Sequence, residues 1–231
     1  MKTDAKLHVR EYGGILAVAE KKTLLWLAGR MPRRVNSDHL TLLGLIAMIL
    51  AGASFWAAGQ NSLTLLLVVF FLALNWFGDS LDGTLARYRN RQRPRYGYYV
   101  DHVIDLIGTT ALLGGLALSG YMSPLIALSL LVVFLLLEAE VYLATHVLKV
   151  FRLGSFGFGP TELRILLSIG VLYLLYNPRV YIAGHGPYLL FDVGGVIAIA
   201  GMLIVLFFSA ARNTIALYKE ETPANPASNA S

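Results

Sequence analysis

The chain has no cysteine, which excludes disulfides, cysteine–zinc centres and thiol nucleophiles and leaves the redox compartment open. Charge is scarce too. Asp, Glu, Lys and Arg make up 14% of the 231 residues and hydrophobic residues 56%, whereas soluble domains carry about 25% charged residues. Residues 1–30 lack an unbroken apolar core, and the Glu, Lys and Arg scattered through them argue against a cleaved signal peptide. No internal repeat is found, so an inverted-repeat transporter gains no support. Ser and His never fall into a nucleophile arrangement, which removes serine hydrolysis. A membrane protein remains.

Six segments are apolar for about the 20 residues that a span requires, at 39–59, 62–86, 98–120, 123–147, 161–177 and 189–213. The net charge of +5 matters less than its placement. Eight of the 19 Lys and Arg precede the first span, and Arg87, Arg89, Arg91, Arg93 and Arg95 crowd the turn after the second. Lys149, Arg152 and Arg164 flank the connection between the fourth and fifth, and Arg212 and Lys219 follow the sixth. The connections on the other side, GQNS, SGYMS and NPRVYIAGHGP, hold only Arg179. By the positive-inside rule both termini are cytoplasmic, and so is the basic turn. The expected fold is an all-α integral membrane protein of six transmembrane helices preceded by an interfacial amphipathic helix.

That first helix is read at 7–30, LHVREYGGILAVAEKKTLLWLAGR, with Trp26 and its cations toward the headgroups. Pro32 breaks it, and Asn36, Ser37 or Asp38 caps the first span. Three parts follow: a cytoplasmic segment at 1–36, a six-helix membrane domain at 37–218, and a disordered cytoplasmic tail at 219–231, EETPANPASNAS at its end.

Residues 79–105, DSLDGTLARYRNRQRPRYGYYVDHVID, put four aspartates on two neighbouring hydrophobic segments. A charge at membrane depth is costly and marks function. At 100° per residue, Asp79, Asp82, Gly83, Ala86 and Arg87 share an arc of about 140°. Gly97, Asp101 and Asp105 likewise follow one face of the next helix. The nine residues between Arg87 and Gly97 allow an antiparallel pair, so the four carboxylates converge. They would repel one another unless cations sit among them. Hard divalent ions, Mg²⁺ or Mn²⁺, suit all-oxygen sites shared with substrate phosphates, and four aspartates can hold two of them. Gly83, Ala86 and Gly97 leave room for a ligand, and Arg87 can pair with phosphate oxygens. A carboxylate not fully committed to metal is the natural base for a hydroxyl nucleophile.

The pattern D-x-x-D-G-x-x-A-R…G-x-x-x-D-x-x-x-D resembles the signature of the CDP-alcohol phosphotransferase family at all eight fixed positions: Asp79, Asp82, Gly83, Ala86, Arg87, Gly97, Asp101 and Asp105. The spacing between Arg87 and Gly97 is nine residues where the family usually has eight, and the extra residue falls in the arginine-rich turn. The resemblance implies transfer of a substituted phosphate from a CDP-linked donor to an alcohol, with release of CMP. It implies that Asp79, Asp82 and Asp101 bind metal, and that Asp105 helps bind it and serves as the base. Gly83, Ala86, Arg87 and Gly97 would bind the nucleotide. A homodimer is also implied. The usual donor is CDP-diacylglycerol with a soluble alcohol acceptor; the reverse pairing, a soluble CDP-alcohol with diacylglycerol, uses the same site. No nucleic acid is involved, and the expected setting is phospholipid synthesis at the cell membrane.

Weaker candidates keep two readings each. Glu138, Tyr142, His146 and Lys149 share one face of the fourth span; they line an acceptor pocket, or form a structural polar stripe or subunit contact. Arg164, with Lys149 and Arg152, binds an anionic headgroup or acceptor phosphate, or simply attracts anionic lipid. Pro160 and Glu162 suit the start of the fifth span. His102 after Asp101, together with GPTE at 159–162, resembles the choline and ethanolamine branch of the family, or His102 only packs against a neighbour. Rival functions are a divalent-cation transporter, which would need acids near the midplane, and an inactive scaffold that kept the metal site.

Overall fold

The computed structural model describes residues 16–148 and 159–221. They form seven helices and one hairpin. Helix α1 is Ala17–Arg30, and α2 is Ser37–Ala58. A single 3₁₀ turn, Ser62–Thr64, leads into α3, Leu65–Tyr88. Helices α4, Pro94–Leu118, and α5, Pro124–Leu148, follow. Helix α6 is Pro160–Tyr176, strands β1 and β2 are Arg179–Ile182 and His185–Leu189, and α7 is Leu190–Glu220. Five of these helices, α2, α3, α4, α5 and α7, are long and apolar enough to cross a membrane. Helix α6 has 17 residues, about 26 Å at 1.5 Å per residue. The spans expected from sequence each fall on one of α2 to α7.

The ends are set by local chemistry. Asn36 caps α2 by accepting from the His39 amide at 3.0 Å, while His39 Nδ1 accepts from the Asn36 amide at 3.3 Å. His39 is thus a capping residue. Pro94 opens α4 and Pro160 opens α6, each where its missing N–H costs nothing. The hairpin at 179–189 was not anticipated. Ala183 and Gly184 both have positive φ, between the paired residues Ile182 and His185, which is the two-residue turn suited to strand twist. Helix α7 continues through Lys219 and Glu220, two residues into the segment expected to be tail; residues 222–231 lie outside the described part.

Helix α2 is the spine. Its Gly44 meets Gly78 of α3 so closely that a Cβ at Gly78 would lie 2.6 Å from the Leu40 carbonyl oxygen and 2.7 Å from the Gly44 nitrogen. Farther along, a Cβ at Gly115 of α4 would lie 1.9 Å from the Gly52 oxygen. Small residues that let backbones touch are how membrane helices associate without a hydrophobic driving force. Two apolar clusters result. One joins Phe55, Leu65, Val68, Leu72, Leu112 and Leu116; the other joins Leu24 and Ala28 of α1 to Leu40, Leu81 and Leu85.

The outer helices are apolar outward. Ile197, Phe207 and Phe208 of α7 are 68%, 70% and 67% exposed. Such surface is stable only against lipid, so the fold is that of an integral membrane protein.

Candidate active site

Asp79 and Asp82 stand one turn apart on α3, just beyond the Gly44–Gly78 contact, and Asp101 and Asp105 stand one turn apart on α4. The α3–α4 connection, residues 89–93, is short enough to return the chain antiparallel, and Asn90 with φ of 52° tightens it. The residue extra to the usual family spacing lies between Arg87 and Gly97, the segment that holds this connection.

Carboxylate oxygens of Asp79, Asp101 and Asp105 lie within 4.8 Å of one another. Asp82 stands close enough for the charges of Asp79 and Asp101 to act on it, but its carboxylate is engaged elsewhere. It accepts from Thr41 Oγ1 of α2 at 2.6 Å and from the Gly83 amide. Three acids are therefore gathered, and the fourth is held beside them by α2. An all-carboxylate set of this kind fits a hard divalent cation.

Arg164 closes the site from α6. Its Nη2 donates to Asp79 Oδ2 at 2.6 Å, with side-chain exposures of 18% for the arginine and 22% for the aspartate. Its Nη1 is buried and has no hydrogen-bond partner among the described residues. Lys149 and Arg152, expected beside it, lie outside the described residues. A guanidinium whose second nitrogen is buried and unpaired can take one further acceptor, and a charge-assisted bond favours an anion there.

Arg87 folds back over Gly83: its Nη2 donates to Thr84 Oγ1 at 3.2 Å, and a Cβ at Gly83 would meet its Nη1 at 3.3 Å. Gly97 is exposed, with nothing within 4 Å of where a Cβ would stand. Ala86 lines an open cleft of about 420 Å³ with Asn36, Ser37, Asp38 and Gln92. The arginines of the turn divide the work. Arg89 donates to the carbonyls of Met31, Pro32 and Val35, tying the turn to the α1–α2 connection. Arg93 donates to Asp38, and this bond holds its guanidinium above the usual range.

On the α5 side, Glu138 lies near enough to Asp105 for its charge to be felt there. Tyr142, with its hydroxyl buried, sets its ring 5.0 Å from that of His102, which in turn packs 4.1 Å from Tyr98. His146 is exposed near the end of α5. Glu140, given no role from sequence, accepts from Ser209 and from Asn213 Nδ2, the latter at 2.8 Å, fastening α5 to α7.

Sequence reasoning missed Thr41 and Glu20. Thr41 lies three residues before Gly44 on the face of α2 that touches α3, a signal visible only once that contact is known. Glu20 accepts from Trp76 Nε1 of α3 at 2.9 Å and from Thr161 Oγ1 of α6 at 2.7 Å.

The fold and site define a class: a helical membrane protein with a carboxylate cluster at the basic end of its bundle. Residues 35–214 match the family described as CDP-alcohol phosphatidyltransferase, and the chain belongs to that family. It is similar to the archaetidylinositol phosphate synthase of Pyrococcus horikoshii, 31% identical over 86 residues, or 37% of this chain and 43% of the relative. The phosphatidylinositol phosphate synthase of Streptomyces avermitilis is also 31% identical over 86 residues, which is 33% of its length. The match thus spans less than half of these relatives. The crystal structure of Mycobacterium tuberculosis phosphatidylinositol phosphate synthase with CDP-DAG bound shares the fold, with a TM-score of 0.57 and 17% identity over 85% of this chain and 94% of that one.

Proposed function

We propose that the protein is a metal-dependent phosphatidyltransferase of phospholipid synthesis that moves the phosphatidyl group of CDP-diacylglycerol to an alcohol and releases CMP. The observation that carries this reading is the meeting of Asp79, Asp101 and Asp105 with Arg164 at one end of the bundle. The family, the names of its inositol phosphate synthase relatives and the fold shared with a CDP-DAG-bound enzyme support it. In the membrane the chain has six spans, α2 to α7, with α1 in the interface and both termini and the site cytoplasmic. The membrane domain covers 37–218, and the protein works as a homodimer in the cell membrane.

Asp79, Asp82, Asp101 and Asp105 would hold two divalent cations, Mg²⁺ or Mn²⁺, which supply charge neutralisation for the pyrophosphate. Gly83, Ala86, Arg87 and Gly97 bind the cytidine diphosphate, Arg87 offering its fork to a phosphate oxygen. Asp105 accepts the proton of the acceptor hydroxyl. The alcohol oxygen then bonds to the β-phosphorus as the bond from that phosphorus to the CMP oxygen breaks. CMP leaves with the electron pair. Arg164, whose Nη1 is buried without a partner among the described residues, receives an anionic acceptor such as a phosphorylated polyol. Lys149 and Arg152 add to that charge.

A second reading has a soluble CDP-alcohol donor and diacylglycerol as acceptor. The Tyr98, His102 and Tyr142 cluster beside Asp105 favours it, since it offers a less cationic approach to the site from α5.

The test is CMP release by the purified protein in lipid nanodiscs with Mn²⁺ or Mg²⁺. CDP-diacylglycerol is paired with phosphorylated and neutral polyols, and CDP-choline and CDP-ethanolamine with diacylglycerol. Turnover that EDTA abolishes and Asp105→Asn eliminates is expected with CDP-diacylglycerol. Turnover only with the soluble donors selects the second reading. None with any pair rejects both.

A further inference from the structure

Helix α1 packs with one face inward. Ala17, Leu24 and Ala28 are buried at 8%, 2% and 2% exposure. Glu20, three residues after Ala17 and four before Leu24, falls on that same face. A carboxylate there loses hydration and needs donors in return. It has two, on two different helices. Glu20 Oε1 accepts from the Trp76 indole of α3 at 2.9 Å and from the Thr161 hydroxyl of α6 at 2.7 Å. Trp76 lies three residues before Asp79, and Thr161 three residues before Arg164. Both ends of the Asp79–Arg164 pair are therefore one helical turn from the two groups that Glu20 joins.

A second tie repeats the connection in the other direction. Glu162 accepts from the Gly159 amide at the start of α6 and also from the Leu16 amide at the start of α1, each at 3.0 Å. Helix α6 is otherwise sequence-distant from α3, and the segment before it, residues 149–158, is not described. Its register against α3 rests on apolar contact near Val171 and Leu174 at the far end and, at the site end, on the Arg164–Asp79 pair and these polar ties through α1.

We infer that α1 is a latch, in which Glu20 joins Trp76 to Thr161 and so positions Arg164 on Asp79 to receive the anionic acceptor. This rests on the transferase reading above and adds a residue outside the signature to it. Glu20 touches no reacting atom; it is a positioning residue, and α1 belongs to the site as well as to the membrane surface. A latch made of side-chain hydrogen bonds acts on acceptor binding and leaves donor binding, which belongs to α3 and α4, alone.

The test uses the full chain with Trp26→Phe and Trp56→Phe, so that Trp76 is the single tryptophan. Glu20→Ala, Glu20→Gln and Arg164→Ala are compared singly, and Glu20→Ala is combined with Arg164→Ala. Loss of the acceptor oxygen should shift Trp76 emission in Glu20→Ala, and shift it less in Glu20→Gln, whose amide oxygen still accepts both bonds. Glu20→Ala should raise the acceptor KM about tenfold, the scale of one charged hydrogen bond, with donor KM unchanged. Glu20→Gln, which keeps the acceptor oxygen and loses the charge, should recover part of it. In the Arg164→Ala background the further loss of Glu20 should change acceptor KM little. Unchanged emission in Glu20→Ala overturns the latch whether or not turnover is seen. Shifted emission with unchanged acceptor KM, or effects of Glu20 and Arg164 that multiply independently, overturns the positioning role. No wild-type turnover with any substrate pair rejects the transferase reading and with it the acceptor role, leaving the emission to decide the latch alone.

Discussion

Gly78→Ala tests whether α2 holds the carboxylates in place. The added Cβ would stand 2.6 Å from the Leu40 oxygen, 2.7 Å from the Gly44 nitrogen and 3.0 Å from the Gly44 Cα, all backbone atoms that no rotamer change can move aside. A carbon–oxygen contact needs about 3.3 Å, so α3 must retreat from α2 by roughly 0.7 Å next to Asp79. The Thr41–Asp82 bond, now 2.6 Å, would open beyond the useful range. Overpacking of this kind costs about 1–3 kcal/mol. A displacement near 1 Å at a reacting centre lowers turnover by about a hundredfold, so a loss between roughly tenfold and a hundredfold is expected. Thermal unfolding in detergent and CMP release measure the two effects. Gly114→Ala is the control, because nothing lies within 4 Å of its added methyl. If Gly78→Ala unfolds and turns over like Gly114→Ala, the close approach of α2 and α3 does not govern the site.

Thr41→Val keeps the shape of the side chain and removes the donor to Asp82; the Mn²⁺ concentration for half-maximal activity should rise about tenfold or more, while Thr41→Ser stays near wild type. Glu140→Ala removes the bonds to Ser209 and Asn213. At roughly 0.6 kcal/mol per membrane hydrogen bond it should cost about 1–2 kcal/mol of stability in detergent unfolding, with acceptor KM unchanged. Asp192→Ala frees the Ser123 amide and hydroxyl at the start of α5, now bound at 2.6 and 2.5 Å, and should lower the melting temperature by a loss of about 1 kcal/mol, as for other N-terminal caps, without altering CMP release.

The convergence of Asp79, Asp101 and Asp105 was legible because it depends on periods of three and four residues along two helices and on a connection too short to do anything but reverse the chain. The capping by Asn36 and Glu162 was legible for the same local reason. The Arg164–Asp79 pair joins residues 85 apart. Nothing in a helical wheel says which cation α6 will present to α3, so sequence left acceptor binding and lipid attraction both open. Glu20 was hidden by composition: an acid among Lys21 and Lys22 in an interfacial helix looks like surface charge, and only the packing of Leu24 and Ala28 shows that it faces inward. Glu140 was passed over because it lies off the face of Glu138, and its partners are on α7, 69 and 73 positions away. The hairpin at 179–189 was missed because its turn, Ala183–Gly184, carries none of the Asn–Gly or Asp–Gly signals that such turns usually show.

Helix α2 contributes no ligand to the carboxylate group, yet it touches both helices that do. It meets α3 through Gly44 and Gly78 and α4 through Gly52 and Gly115, backbone against backbone. Contacts of that kind have no rotamers to exchange, so the α2–α3–α4 unit is stiff, as a cluster of mutually repelling acids requires. The remaining helices join at their polar points through side chains: Glu20 and Arg164 for α1 and α6, Glu140 for α5 and α7. Side-chain bonds of that kind can follow small shifts of their helices by changes of rotamer, which backbone contacts cannot. The architecture thus separates a rigid half, where on the proposed reading a pyrophosphate and its cations would need one geometry, from an adjustable half. On that reading, changes of side chain in the adjustable half, on α5 and α6, would alter which alcohol is accepted. Substitutions at Glu138 or Arg164 should accordingly change acceptor preference, whereas substitutions at Gly44 or Gly52 should impair every acceptor alike. Competition assays with mixed acceptors would show the difference, and a Gly52 variant that lost one acceptor while keeping another would contradict the division.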